Sequence, residues 1–252
     1  MSQDEVWLLK EKYGGTESSA FRADLERLRA GEPLAYLIGH TPFLDCKIYL
    51  DSHPLIPRTE TEYWVEKAIE SILMDSKSDT KVLDLCAGSG CVGVVVARNV
   101  PDAQVTFTEI YSSHLPTIKK NLESNLSDYS DRMEHLQVLQ SDLFQNVTGK
   151  FDFILTNPPY IDPALDRTEN SVKRHEPHLA LYGGESGFAI ITDIIKEAPG
   201  YLNNAGQLWI EHEPEQVEAI HSLASAYDFL VVTHKDQYGV ERFSVLTLSQ
   251  TK

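Results

Sequence analysis

Four consecutive residues, Asn157-Pro158-Pro159-Tyr160, close an apolar run written Phe151-Asp152-Phe153-Ile154-Leu155-Thr156. The run predicts a short strand. Two prolines cannot extend it, because each lacks a backbone N–H and each pushes its predecessor toward extended geometry. Asn157 therefore stands where a strand ends and a stiff loop begins, the place where open parallel sheets bind ligands. The paired prolines hold the Asn157 amide, the Pro158 carbonyl and the Tyr160 ring in a fixed relation. Those two oxygens can accept hydrogen bonds from an incoming NH2 group while the ring stacks on its flat face. This is a device for a planar amine or amide nitrogen. An ordinary strand-to-loop turn with a buried tyrosine is the plain alternative, and the preceding chain decides between them.

Lys81 to Cys86 predicts a buried strand, Ala87-Gly88-Ser89-Gly90 a tight turn, and Cys91 to Asn99 an apolar helix. Glycine lets a backbone approach a ligand, and a helix N-terminus offers free N–H groups, so strand, glycine turn and helix make a nucleotide-type site. Gln104 to Ile110 predicts a second strand that ends in Glu109. Glu109 lies roughly 20 residues past the turn, where dinucleotide and adenosyl sites place a carboxylate on ribose hydroxyls. No basic residue stands in the turn, which disfavours a nucleoside triphosphate. Leu136 to Phe144 predicts a third strand running into a loop, with Asp142 placed to accept from an exocyclic amine and Leu143 to pack on a base. The strand before Asn157 is the fourth.

The elements that position these residues alternate from about residue 80 onward. Helix is expected over 111–126, 188–201 and 217–227, and further strands over 207–212, 229–233 and 242–248. The last two have no helix between them, so they are expected to pair antiparallel. Residues 161–187 predict a long loop, and loops of that length in compact domains are usually functional. Upstream, residues 1–35 predict helix broken at Gly14-Gly15, too short to bury a core alone, and residues 34–56 a hairpin or extended crossing. A helix capped by Thr59 or Thr61 follows, running through Trp64, Ala68 and Leu73. Arg58, Glu60 and Glu62 at its start are expected to brace the active-site loops or the interdomain seam. The alternation implies a doubly wound α/β sheet.

Composition narrows the function. The 252 residues are 42% hydrophobic, enough for one sizeable core, and carry 22 Lys+Arg against 38 Asp+Glu, a formal net charge of −16. Duplex binding usually demands a basic face, so a basic protein partner suits this charge better than nucleic acid. Three cysteines, Cys46, Cys86 and Cys91, form no CxxC pair, which argues against a disulfide framework or structural zinc and for a reducing, cytoplasmic setting. No apolar run approaches the ~18 residues that span a membrane. Nothing suggests more than a monomer.

Glycine turn, acid after strand two, Asp142 after strand three and Asn-Pro-Pro-Tyr after strand four together resemble a class I S-adenosylmethionine-dependent methyltransferase, with its Rossmann-like, seven-stranded and mostly parallel sheet. Gly31-Glu32-Pro33-Leu34-Ala35-Tyr36-Leu37-Ile38-Gly39, Ile56-Pro57-Arg58-Thr59-Glu60-Thr61-Glu62, Asn157-Pro158-Pro159-Tyr160-Ile161 and Glu176-Pro177-His178-Leu179-Ala180-Leu181 stand in the order of the HemK/PrmC family. Those enzymes are protein-(glutamine-N5) methyltransferases acting on peptide chain release factors. The resemblance divides the chain into a shortened N-terminal helical segment (1–35), a linker hairpin (36–56) and a methyltransferase domain (57–252). It departs from the family at Cys86, where glycine is usual, and at Glu109, where aspartate is usual.

By position, the resemblance places S-adenosyl-L-methionine against Cys86, Ala87, Gly88, Ser89, Gly90, Glu109, Asp142 or Leu143, and Asn157. It places the glutamine of a Gly-Gly-Gln motif in a class I release factor against Asn157, Pro158, Pro159, Tyr160 and Arg58. It implies that Asn157, Pro158 and Tyr160 carry the catalysis, with no metal. Two rival readings share some of these features. An adenine-N6 nucleic-acid methyltransferase shares the cofactor site and Asn-Pro-Pro-Tyr, but requires a basic surface or a target-recognition domain. A non-catalytic methyltransferase-fold binding protein need not keep usable chemistry at every pocket position, as this chain does.

Overall fold

Alternate residues of the predicted strands face opposite ways, and both directions are buried. Val82, Val105, Phe107, Phe153 and Leu155 pack into one apolar cluster, and Leu83, Leu85, Ile154, Leu208 and Ile210 into another. Strands buried on both faces belong to a parallel sheet covered by helices on either side. The computed structural model describes residues 1–75, 77–165 and 168–249. Ser76, where the sequence predicts a polar link, and residues 166–167 of the predicted long loop lie outside them.

The elements run in the order α1 (Gln3–Tyr13), α2 (Ser19–Arg29), α3 (Leu34–Ile38), β1 (His40–Phe43), β2 (Cys46–Tyr49), α4 (Thr59–Met74), β3 (Lys81–Leu85), α5 (Cys91–Asn99), β4 (Gln104–Glu109), α6 (Leu115–Asn125), α7 (Tyr129–Arg132), β5 (Leu136–Gln140), β6 (Phe151–Thr156), α8 (Asn170–His175), α9 (His178–Leu181), α10 (Ala189–Glu197), β7 (Leu202–Glu211), α11 (Val217–Ser225), β8 (Phe229–Lys235) and β9 (Glu241–Leu248). Seven strands make one sheet in the order β5-β4-β3-β6-β7-β9-β8. The first five are parallel, while β7 with β9 and β9 with β8 are antiparallel. Helices α4, α5 and α6 cover one face, burying Trp64, Val65, Val94, Ile118 and Leu122. Helices α10 and α11 cover the other with Ile191, Ile194, Ile195 and Ile220. The chain goes from β3 outward through β4 and β5, then returns to place β6 on the other side of β3. Ligands of such sheets bind outside the strand ends at this reversal.

Three local expectations change. The segment expected as hairpin over 34–56 begins with helix α3, which fits between Pro33, unable to continue an upstream helix, and Gly39, whose φ of 91° ends the turn. The hairpin proper is β1–β2. Helix α4 is capped by the backbone of Arg58, not by a threonine side chain, because Thr61 turns inward. The long loop over 161–187 holds two short helices, α8 and α9. At the N-terminus, α1, α2 and α3 share a small cluster of their own around Leu8, Phe21 and Leu37. Among the described residues no helix is long and apolar enough to cross a membrane.

Candidate active site

The turn after β3 is closed by Gly90 N–H donating to the Ala87 carbonyl at 2.7 Å, and it is tied to β4 by Ala87 N–H donating to the Thr108 carbonyl at 2.9 Å. Cys86 opens it with a φ of 62°. That left-handed conformation costs a residue with a Cβ of order 1 kcal/mol, the physical reason glycine is favoured there. Beneath the turn, Asp84 accepts from Gly93 N–H at 2.8 Å and so fixes the start of α5. Its burial pushes the carboxyl up to about 7.

Glu109 ends β4 braced by two main-chain donors, Gly88 N–H to Oε2 at 2.8 Å and Tyr111 N–H to Oε1 at 2.9 Å. A carboxylate has about four lone-pair sites, so it keeps room for neighbouring hydroxyls of a ligand. Cys86, Gly88, Glu109, Asp142, Leu143, Asn157 and Pro159 line a cavity of about 160 Å³, with Ile110, Leu179 and Ile190 supplying apolar walls. Ala87, Ser89 and Gly90 are buried behind that surface. The lining carries two carboxylates and no lysine or arginine. Thr108 also lines it, and its buried Oγ1 has no hydrogen-bond partner among the described residues. A ligand with a flat apolar part, hydroxyls and a positive charge fits such a lining. An adenosyl sulfonium has all three.

Asn157 follows β6 directly. Its Nδ2 donates to Thr61 Oγ1 at 3.2 Å, and the Thr61 hydroxyl donates to Glu211 Oε2 at 2.7 Å. The same carboxylate oxygen accepts from Trp64 Nε1 at 2.6 Å, while Oε1 accepts from the Tyr160 hydroxyl at 2.8 Å. One buried side chain at the end of β7 thus holds both ends of Asn157-Pro158-Pro159-Tyr160. Burial raises the Glu211 carboxyl, against three hydrogen bonds that lower it. Burial beside that carboxylate likewise holds the Tyr160 phenol well above its ordinary value. Among the described residues, no donor reaches Asn157 Oδ1 or the Pro158 carbonyl oxygen.

A second cavity, about 170 Å³, lies against the first. Pro158, Tyr160, Arg58, Val172 and Leu181 line it, and Asn157, Leu55 and Ala180 line both. Asn157 is therefore at the junction. Pro159, expected with Pro158 and Tyr160, lines the first cavity instead. Arg58 reaches the second cavity while its Nη2 pairs with Glu176 Oε1 at 2.6 Å; Glu176 Oε2 accepts from Ile56 N–H at 3.0 Å. Glu62 accepts from Leu44 N–H at 2.8 Å, joining α4 to the β1–β2 turn. A larger cavity of about 450 Å³, beyond Tyr160 and beside Phe188 and Gln216, contains neither the glycine turn nor Asn157. Among the described residues no group of His, Cys, Asp and Glu side chains is arranged to hold a metal.

The methyltransferase small domain family matches residues 69–175. A release factor glutamine methyltransferase of Francisella tularensis is 37% identical over 204 residues, which are 81% of this chain and 69% of that one. Its counterpart in Lactococcus lactis is 33% identical over 241 residues, 93% of this chain and 84% of that one. The chain belongs to the release factor glutamine methyltransferase family. Among solved structures, a methyltransferase from Pyrococcus furiosus superposes with a TM-score of 0.57, covering 91% of this chain and 99% of its own at 17% identity. That likeness shows the class I methyltransferase fold.

Membership in this family frames what the sequence alone missed. Thr61, Trp64, Thr108 and Glu211 touch the site or the residues that form it, yet the sequence reading assigns none of them a part in it. Signals existed for three of them. Thr61 and Trp64 are three residues apart, hence on one face of a helix. Glu211 ends the apolar run Leu208-Trp209-Ile210, the same pattern that flagged Glu109.

Proposed function

We propose that this chain transfers a methyl group from S-adenosyl-L-methionine to the side-chain amide nitrogen of the glutamine in the Gly-Gly-Gln motif of a class I peptide chain release factor, in the cytoplasm. The observation that carries this reading is the position of Asn157. It lines both cavities, and its Oδ1 and the Pro158 carbonyl are acceptors that no donor reaches among the described residues. A primary amide brings two N–H groups that match two such acceptors.

The first cavity would hold the cofactor. Glu109 would take the ribose hydroxyls, Thr108 Oγ1 one polar group, and Ile110, Leu143 and Leu179 the base. When bound, the cofactor supplies an electrophilic methyl on a positively charged sulfur. The chain's own residues do the rest. An amide nitrogen is a poor nucleophile because its lone pair is delocalised into the carbonyl. Asn157 Oδ1 and the Pro158 carbonyl would accept its two hydrogens, orient the nitrogen toward the first cavity and favour its pyramidalisation. The same oxygens would stabilise the positive charge that develops as the nitrogen–methyl bond forms and the sulfur–methyl bond breaks, leaving a neutral thioether. The N-protonated amide is strongly acidic and gives one of its two N–H protons to water, which leaves the neutral methylamide. Tyr160, held by Glu211, would support the amide plane. Arg58, Val172 and Leu181 would shape the entrance around the glutamine stem.

The test is a labelled methyl-transfer assay offering a release factor and a mixed-sequence DNA duplex side by side. The expected result is label on the release factor that disappears when its Gly-Gly-Gln glutamine is replaced. Asn157→Ala should abolish the transfer while leaving cofactor affinity within a few-fold. Label on DNA, or on the release factor without its glutamine, would overturn the reading.

A further inference from the structure

We infer that Thr61 is a positioning residue for methyl transfer: polarised by the buried acceptor Glu211 Oε2, it decides which end of the Asn157 amide faces the second cavity. The inference rests on the role given to Asn157 above. An asparagine side chain has two ends of nearly equal shape and opposite function, an oxygen that accepts and an NH2 that donates. Only the oxygen can receive an N–H of a substrate amide. With the NH2 turned outward, donor would face donor and the acceptor nitrogen would not be held. Something in the fold must choose.

The choice is legible in the order of donors. Trp64 Nε1, 2.6 Å from Glu211 Oε2, can only donate, so that oxygen presents a lone pair. The Thr61 hydroxyl, 2.7 Å from the same oxygen, gives it its single proton. Thr61 Oγ1 then has only lone pairs left for Asn157, whose nearer end must be the NH2 at 3.2 Å. Oδ1 is left to point away. The reverse orientation would set two oxygens against each other with no proton between them. A proton taken up by Glu211 does not undo this. On Oε2 it would compete with the Trp64 N–H, whereas on Oε1 the Tyr160 hydroxyl oxygen can receive it. Thr61 and Glu211 are each 1% exposed, so water does not intrude. Thr61 lines neither cavity. Its effect therefore reaches the reaction through Asn157 and leaves cofactor contacts alone.

The experiment compares wild type, Thr61→Val, Thr61→Ser, Glu211→Gln and Asn157→Ala. Valine keeps the shape of threonine and removes the hydroxyl; serine keeps the hydroxyl. Thr61→Val should lower kcat on the release factor roughly 10- to 100-fold, with the KM for S-adenosylmethionine nearly unchanged and the melting temperature lowered by several degrees, since the Asn157 NH2 loses its partner. Thr61→Ser should restore most of kcat. Glu211→Gln should retain a substantial part of it, because Trp64 draws the new amide oxygen to the Thr61 side. Wild-type kcat in Thr61→Val, or a Thr61→Ser variant as slow as Thr61→Val, would overturn the inference. A second measurement does not depend on turnover. In 15N spectra the Asn157 side-chain NH2, identified by its absence in Asn157→Ala, should show one hydrogen slowed in exchange in wild type and Thr61→Ser but not in Thr61→Val. Identical exchange in all three would refute the inference even if no release factor is methylated. A wild type that leaves the release factor unlabelled yet shows the Thr61-dependent signal would refute the proposed function alone.

Discussion

Gly187 sits in the turn that backs the Asn157–Tyr160 segment, with a φ of 65°. A Cβ added there would lie 2.0 Å from the Tyr160 carbonyl oxygen, 2.8 Å from its carbon and 2.9 Å from the Asp162 nitrogen. All three are backbone atoms, so no side chain can swing away. Reaching ordinary contact requires the two backbones to part by about 1.4 Å, given that contact begins near 3.4 Å. Gln216 resists the parting, since its Nε2 bonds the Tyr160 and Gly187 carbonyls at 2.9 Å each. For Gly187→Ala the left-handed backbone costs about 1 kcal/mol and the overpacking about 1–3 kcal/mol. Together they destabilise by about 2–4 kcal/mol, a fall in Tm of roughly 4–16 °C for a chain of this size. A displacement of about 1 Å at Tyr160 should also cut turnover by about 100-fold. Urea unfolding and single-turnover methyl transfer measure the two effects. Gly200→Ala is the control, since a Cβ there meets nothing within 4 Å; it should leave both unchanged. A Gly187→Ala protein with wild-type Tm and wild-type rate would show that the turn does not set the position of Tyr160.

Glu109→Gln should weaken S-adenosylmethionine binding by about tenfold or more in calorimetry, because one carboxylate oxygen that would accept from a ribose hydroxyl becomes an NH2 that cannot and the charge assistance is lost, about 1.5–3 kcal/mol; unchanged affinity would remove Glu109 from the cofactor site. His212 is fully buried, with burial pushing its imidazole down to about 4 from 6.5. Below pH 6.5 the unfolded chain takes up a proton that the folded chain refuses, so this histidine's stabilising effect is complete above 6.5 and disappears as pH falls to about 4, roughly 3 kcal/mol in all. His212→Gln should therefore gain on wild type by about 1.4 kcal/mol per pH unit across that window in urea titrations, and a constant difference would contradict the burial effect.

Much of the site was readable because its parts are local. A strand stopped by two prolines, a glycine turn and an acid at a strand end each announce themselves within a few residues. Asn157, Glu109 and Gly88 were found that way. Glu211 was not, because its role comes from Thr61 and Trp64, 150 and 147 residues away; the apolar run before it marks a strand end but not which groups its carboxylate meets. Helix α3 was missed for a different reason. Its five residues, Leu34-Ala35-Tyr36-Leu37-Ile38, are too few to show a helical period, and Tyr36 and Ile38 favour strand. What makes them helical is the boundary, Pro33 before and Gly39 after. The conformation of Leu143, with a φ of 45°, has no sequence signal at all; leucine seldom adopts it, and only the loop after β5 imposes it.

The place of β9 in the sheet has a consequence for how the protein is born. It lies between β7 and β8, pairing Glu211 with Phe243, and Phe243 stacks on Trp209 with ring centres 5.8 Å apart. A polypeptide leaves the ribosome from its N-terminus, so Asn157, Thr61 and even Glu211 emerge well before the strand that shuts Glu211 away from water. Until Arg242 to Leu246 arrive, the carboxylate that organises Asn157 and Tyr160 stays hydrated and need not choose its partners. Every nascent molecule would then pass through a stage in which its glycine turn is already translated but its Asn157–Tyr160 loop is not yet ordered, and that order waits on the synthesis of β9.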